Sequence, residues 1–260
     1  MLGQTKALNI LNSFSLTNIP HSLLFIGEVG SGKHTLASSL SSRLGMDLID
    51  MTEHIEDSYI LDMYNSLIPS FYLIDLSQVS DKEQNKLLKL VEEPPLNCFL
   101  ILIGESTSLV IPTILNRCFK IELEEYSRKD LKSFSPKDWP EGMLKTPGQV
   151  INFNFNTLEA TEKLVNTINC HMKGMVFPKA LDIADKINYS DEYDKVDLSV
   201  FLNLLLEENK NKYLREKKPI HYKNYIIALG FKRDLVNKKL NLHTAVENLL
   251  TKLWRASNEC

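Results

Sequence analysis

The sequence predicts an α/β fold: a parallel five-stranded sheet flanked by helices, then a short helical segment and an all-α C-terminal part. Three observations predict it. Five strand-length apolar runs alternate with helical patterns over residues 1–123. The first run leads directly into a glycine-rich loop that opens a helix. Beyond residue 123 the strand-like runs stop, and from about residue 153 onward the pattern is helical.

The runs are Ser22–Ile26, Met46–Met51, Phe71–Ile74, Cys98–Ile103 and Phe119–Leu123. None alternates cleanly between polar and apolar residues, so each is expected to be buried on both faces, as in a parallel sheet covered by helices. Between them, Thr35–Leu44 carries Leu36, Leu40 and Leu44 on one helical face, and Gly45 is placed to cap its end. In Asp81–Glu93, Ser80 and Glu83 have the spacing of a capping box. Leu87, Leu88 and Val91 line one face, and Pro94-Pro95 stops the helix.

Segment 124–150 is polar, contains Pro136, Pro140 and Pro147, and is expected to form a small helical piece with loops. Further on, segment 196–214 reads as a helix with Val200, Leu202, Leu204 and Leu205 as its apolar residues. Leu242, Ala245, Val246, Leu249, Leu250, Leu253 and Trp254 fall on one helical stripe. The stretch Lys210–Lys223 has seven Lys, Arg or His residues, but Glu207, Glu208 and Glu216 lie in or beside it. A solvated face is the expected meaning, with a DNA site as the alternative.

Composition narrows the function classes. Of 260 residues, 43% are hydrophobic and 24% charged, and the formal charge is −3, so the chain is not polybasic and any nucleic-acid contact must come from a local patch. The longest apolar run is too short to span a bilayer. The start, MLGQTKALNILNSFS, lacks the basic opening and apolar core of a secretory signal, so a cytoplasmic location without membrane contact is expected. The four cysteines, at 98, 118, 170 and 260, are too scattered for a zinc ribbon and are expected to be free thiols, with no zinc site.

The stretch Gly27-Glu28-Val29-Gly30-Ser31-Gly32-Lys33-His34-Thr35 has the strand–loop–helix setting of a phosphate-binding P-loop. Glycines let backbone N–H groups turn toward phosphate oxygens, and the helix N-terminus adds partial positive charge. Lys33 is positioned to reach the β- and γ-phosphates of ATP. The residue after that lysine should carry a hydroxyl for Mg²⁺, yet it is His34. Thr35 lies one position late, about 100° around the helix. Two readings stay open: a nucleotide site, and a glycine-rich turn that binds none. Asp75 ends an apolar strand, as in a Walker B motif that helps hold Mg²⁺, while Leu76 stands where many ATPases place a catalytic acid. Alone, Asp75 reads as a strand-end or helix-cap residue.

Taken together these pieces resemble a known family. Ser80–Pro95, which contains QNKLLKLVEEPP, is similar to the AQNALLKTLEEPP segment of DNA polymerase clamp-loader subunits. Ile111–Cys118 resembles that family's LPTILSRC box, with Asn116 in place of Ser. Gly3-Gln4 resembles the GQ near the adenine site, Ile19-Pro20-His21 the LPH before the first strand, and Asn241–Trp254 the last collar helix of delta-prime subunits.

The resemblance implies an AAA+ ATPase-like domain over 1–123, a short lid over 124–152 and a helical collar over 153–260. It also implies assembly with other clamp-loader subunits, as pentamers, to load a sliding clamp onto primer–template DNA with ATP and Mg²⁺. Arg117 matches the arginine finger that enters a neighbour's ATP site; its alternative is a surface salt bridge. His34, Leu76, Gly104 at the end of the sensor strand (with Ser106 nearby) and the arginine-free Thr146–Val150 all depart from the catalytic pattern. No zinc module fits between Gly45 and Ser70. The departures resemble delta-prime, which serves a neighbour without hydrolysing ATP itself. The alternative is an active ATPase motor of a compact viral or reduced loader, with Thr35 and Ser106 compensating. Whether the chain is an enzyme therefore stays open. The region Met51–Asn65 matches one from which related subunits touch the clamp, although the ordinary reading of Ile55, Ile60, Leu61, Met63 and Tyr64 there is helix core.

Overall fold

The computed structural model describes residues 3–51, 57–188, 196–237 and 241–258. The chain divides into two compact units. The first comprises Met1–Phe134 with Thr146–Gly148, and the second Ser135–Lys145 with Gln149–Cys260.

The first unit is built on strands β1 (Ser22–Ile26), β2 (Asp47–Asp50), β3 (Ser70–Asp75), β4 (Cys98–Gly104) and β5 (Phe119–Glu122), all parallel, in the order β2-β3-β4-β1-β5. Every residue of β1 and β4 is buried. Successive side chains in a strand point to opposite faces, so an apolar residue at every position feeds two cores. Leu23, Phe25, Phe71, Leu73, Ile101 and Ile103 pack with Ala7 and Leu11 of α1 (Thr5–Ser13) and Leu36 and Leu40 of α2 (Lys33–Leu44). Leu24, Ile26, Tyr72, Ile74, Leu100 and Leu102 pack on the other side with Met63 of α3 (Asp57–Tyr64) and Leu87, Leu90 and Val91 of α4 (Asp81–Glu92).

The edges differ from the expectation. β2 and β5 each bury at most one residue, because each has a neighbour on one side only. The expected apolar cluster near the clamp-like region also divides. Met63 is fully buried, Ile60 is partly buried, and Leu61 (61% exposed) and Tyr64 (37%) face outward. Ile55 lies outside the described residues.

Local signals act where the sequence puts them. Gly45 caps α2 in the left-handed region at φ 65°. Ser80 Oγ accepts from Glu83 N at 3.4 Å while Ser80 N donates to Glu83 Oε2 at 2.9 Å, a closed capping box. Ser80→Ala is expected to cost about 1 kcal/mol, read as a lowered urea midpoint with an unchanged slope.

After α5 (Pro112–Leu115), α6 (Arg128–Lys132) and α7 (Pro147–Asn152), the second unit is mainly helical, with α8 (Leu158–Asn166), α9 (Phe177–Leu181), α10 (Leu198–Glu216), α11 (Pro219–Asn237) and α12 (Leu242–Asn258). Ala245, Val246, Leu249, Leu250 and Leu253 of α12 are buried. Trp254 Nε1 donates to Met175 O at 2.7 Å, and Leu242 faces outward. In α10, Val200–Leu206 is buried on every side rather than along one stripe, so its first turns are enclosed by their neighbours. One element was not expected: Ile187–Asn188 and Val196–Asp197 pair as parallel two-residue strands, too short to leave a periodic trace. The basic stretch is held by ion pairs along its own helices: Lys210–Glu207, Lys212–Glu208 and Lys218–Glu216.

Among the described residues, no helix is long and apolar enough to cross a membrane, and no group of three His, Cys, Asp or Glu could hold a metal ion. Cys98, Cys118 and Cys170 are free thiols, and burial pushes Cys98 and Cys118 up to about 12. Cys260 lies outside the described residues.

Candidate functional site

β1 ends at Ile26, and the loop Gly27–Gly32 then turns into α2. Gly30 (φ 75°) and Gly32 (φ 93°) take left-handed conformations that side chains rarely adopt, which curls the loop. Every carbonyl from Gly27 to Ser31 is tied. Lys33 Nζ donates to Gly27 O and, at 3.0 Å, to Glu28 O. Thr146 Oγ1 donates to Val29 O at 2.9 Å, and Gly148 N to Gly30 O at 2.9 Å. Tyr126 OH donates to Ser31 O at 2.7 Å, and burial raises its phenol further, keeping the proton available. Gly148 touches the loop so closely that a Cβ there would come within 2.6 Å of Gly30 Cα.

The amides have the opposite fate. Among the described residues, the N–H groups of Val29, Gly30, Gly32, Lys33, His34 and Thr35 have no acceptor within the chain. Ser31 Oγ is buried and unpartnered as well. Unpaired N–H groups at the start of a twelve-residue helix, with a lysine beside them, form a receptor for a polyanion. A polyphosphate therefore fits the residues present.

Lys33 is buried, and desolvation lowers its pKa, partly opposed by Asp75, Glu105 and Glu28. Thus the loop lysine and the Walker B-like aspartate share one electrostatic neighbourhood. Asp75 is also the cap that the bland alternative foresaw: its Oδ1 accepts from Ser77 N at 2.9 Å and Ser77 Oγ at 2.6 Å. Leu76 lies in the core, and Ser106 Oγ is engaged with Ser108. His34 is exposed, its Nδ1 lying 3.8 Å from Asp50 Oδ2, and Thr35 is exposed too. A histidine is no substitute for a hard hydroxyl oxygen toward Mg²⁺.

The N-terminal segment joins this site. The Gln4 side chain bonds Glu124 O (2.7 Å) and Glu124 N (2.8 Å), and Gly3 (φ 77°) lies flat against the Tyr126 ring.

Arg117 belongs to the other end of the strands. It follows α5 (Pro112–Leu115) and precedes β5, whose first residue, Phe119, pairs with Leu23 near the start of β1, whereas the loop follows the end of β1. A five-residue strand spans about 16 Å, so Arg117 cannot serve the loop of its own chain. Its guanidinium pairs with Glu92 (2.9 Å) and donates to Thr113 O (3.0 Å), with the side chain 42% exposed. Buried Gln84 holds the same region, donating to Leu109 O (2.8 Å) and accepting from Ile111 N (3.0 Å). Glu105 and Tyr126 escaped the sequence reading, and the surface salt bridge it offered as the alternative for Arg117 is present, with Glu92 as a partner it did not name. The only available signal for that partner was the acidic pair within the EEPP motif.

A family model described as DNA polymerase III, delta subunit, matches residues 69–127, which contain Asp75, Glu105 and Arg117. The gamma subunit of DNA polymerase III from Buchnera aphidicola subsp. Baizongia pistaciae (strain Bp) is 29% identical over 166 residues. The chain is thus similar, over these segments, to subunits of DNA polymerase III. The match with the gamma subunit takes in 50% of this chain and 45% of that protein, so the chain covers less than half of that relative's length.

Among solved structures, a gamma subunit-related protein from Thermotoga maritima matches with a TM-score of 0.43 and 14% identity, over 98% of this chain and 100% of that one. The RuvB Holliday junction branch migration motor from Thermotoga maritima matches with a TM-score of 0.45 and 15% identity, over 83% and 77%.

Proposed function

We propose that this chain is a clamp-loader subunit of delta-prime type, which supplies Arg117 to a neighbouring ATP site and hydrolyses ATP weakly or not at all itself. The observation that carries this reading is the position of Arg117, before the N-terminal end of β5 while its own phosphate loop follows the C-terminal end of the neighbouring β1, and its partners among the described residues are exposed. An arginine so placed acts in trans or not at all. The missing hydroxyl at His34 and the buried Leu76 support the loss of hydrolysis.

In this reading residues 1–123 form the ATPase-like domain, 124–152 the lid and 153–260 the collar. The partners are other subunits of a pentameric loader, a sliding clamp and primer–template DNA, in the cytoplasm. Of the residues proposed for ATP, Gly27, Gly30, Ser31, Gly32, Lys33, His34 and Thr35, the phosphates would be held by the amides of Gly30, Gly32, Lys33, His34 and Thr35, the Ser31 hydroxyl and the Lys33 ammonium, with Gly27 shaping the loop. When bound, Mg²⁺ would neutralise charge on the phosphates, with Asp75 and Thr35 as the residues toward it.

A second reading, an ATP-hydrolysing motor subunit, is favoured by one observation. Glu105, at the end of β4, places an acid within electrostatic range of Lys33. Phosphate release by the purified chain with saturating ATP and Mg²⁺ separates the two. The delta-prime reading expects no turnover above background. Robust turnover that disappears in Lys33→Ala would replace it with the motor reading.

A further inference from the structure

We propose that Tyr126 and Thr146 are positioning residues for a polyphosphate held by the Gly27–Lys33 loop, each pinning one carbonyl and thereby aiming the next amide at the anion. The inference rests on nucleotide binding by that loop, as proposed above.

In a trans peptide the C=O and the following N–H share one plane and point in opposite directions. Fixing the carbonyl therefore fixes the amide. Thr146 Oγ1, bonded to Val29 O at 2.9 Å, sets the plane that carries Gly30 N–H. Tyr126 OH, bonded to Ser31 O at 2.7 Å, sets the plane that carries Gly32 N–H. Among the described residues, neither amide has an acceptor in the chain.

Both planes lead into glycines at positive φ, where the backbone itself resists rotation least. The other planes are fixed differently. Lys33 holds the carbonyls of Gly27 and Glu28, and Ser31 N–H closes a turn onto Glu28 O at 3.1 Å. The planes that follow the two glycines are held by main-chain donors, Gly148 N on Gly30 O and Leu36 N on Gly32 O, whereas the two that lead into them depend on hydroxyls from distant positions, 95 and 117 residues away. Both hydroxyls belong to largely buried residues, so water competes poorly for the same carbonyls.

The test is titration of the whole chain with sodium tripolyphosphate and with a fluorescent ATP analogue, for wild type, Tyr126→Phe, Thr146→Val and Thr146→Ser. Losing one pin is expected to weaken both probes about three- to tenfold, the range of one hydrogen bond. Thr146→Ser, which keeps the hydroxyl, should bind as wild type does. Ser80→Ala, destabilising but remote from the loop, serves as the stability control and should leave affinity unchanged. Equal binding by wild type, Tyr126→Phe and Thr146→Val would overturn the positioning role while leaving nucleotide binding intact. So would a loss in Thr146→Ser as large as in Thr146→Val, or an equal loss in Ser80→Ala. A wild-type chain that binds neither probe would overturn the nucleotide reading and the positioning role together.

Discussion

Replacing Arg117 by alanine in an assembled loader is expected to lower ATP hydrolysis at the neighbouring site by about 10³-fold or more, the scale on which a trans arginine stabilises charge on a transferring phosphoryl group. The fold should hardly notice. The pair with Glu92 is exposed on both sides, and such pairs contribute about 0–1 kcal/mol. A thermal midpoint within a few degrees of wild type and unchanged assembly are therefore expected alongside the lost rate. Arg117→Lys should recover little, because an ammonium cannot present the planar fork of a guanidinium. Unchanged hydrolysis in the Arg117→Ala assembly would return Arg117 to the status of a surface salt-bridge residue.

Glu92 sharpens this expectation. To enter a neighbour's site, Arg117 must leave Glu92 and the Thr113 carbonyl, and both contacts lie where water can replace them. Gln84 differs. It is buried, and it fastens the backbone at Leu109 and Ile111, leading into the arginine-bearing segment, to α4. The base of the segment is thereby fastened and its tip releasable, an arrangement that would suit the trans role proposed for Arg117.

What the sequence made legible follows from range. The apolar runs at β1, β3 and β4 mark buried strands because a parallel sheet covered on both faces needs apolar residues at every position. Ser80 and Glu83 are three residues apart, and the α12 stripe repeats along one helix. Both can be found without knowing what lies across the fold. β2 and β5 looked equally buried because an apolar run does not say whether it has one neighbour or two. The parallel bridge between Ile187–Asn188 and Val196–Asp197 offers too few residues for any period.

The candidate site divides in the same way. The loop, Asp75 and Arg117 stand in recognisable local patterns. Tyr126, Thr146 and Glu105 do not. A hydroxyl that meets a carbonyl 95 or 117 residues away, or a carboxylate that meets a lysine across two strands, leaves no spacing in the chain.

Lys33 gives the second large effect. Its ammonium is drawn onto the carbonyls of Gly27 and Glu28, and burial lowers its pKa below the ordinary lysine value of 10.5. A polyphosphate binds the protonated form better. As pH rises through the lowered value, affinity for tripolyphosphate is expected to fall, and to begin falling below the range of an exposed lysine. Stability should move the other way. Between the folded and unfolded pKa values the unfolded chain binds more protons at this position, so the Lys33 contribution to stability rises with pH across that window. Opposite slopes for affinity and stability in one alkaline range would mark a desolvated cation. Lys33→Met removes the charge at similar length and should weaken tripolyphosphate by about 10- to 100-fold, the scale of a charge-assisted hydrogen bond. The alkaline fall in affinity should vanish with it. A Lys33→Met chain that still lost affinity over the same pH range would show that another group titrates there, and one that bound tripolyphosphate as tightly as wild type at neutral pH would show that the loop amides hold the anion without help from Lys33.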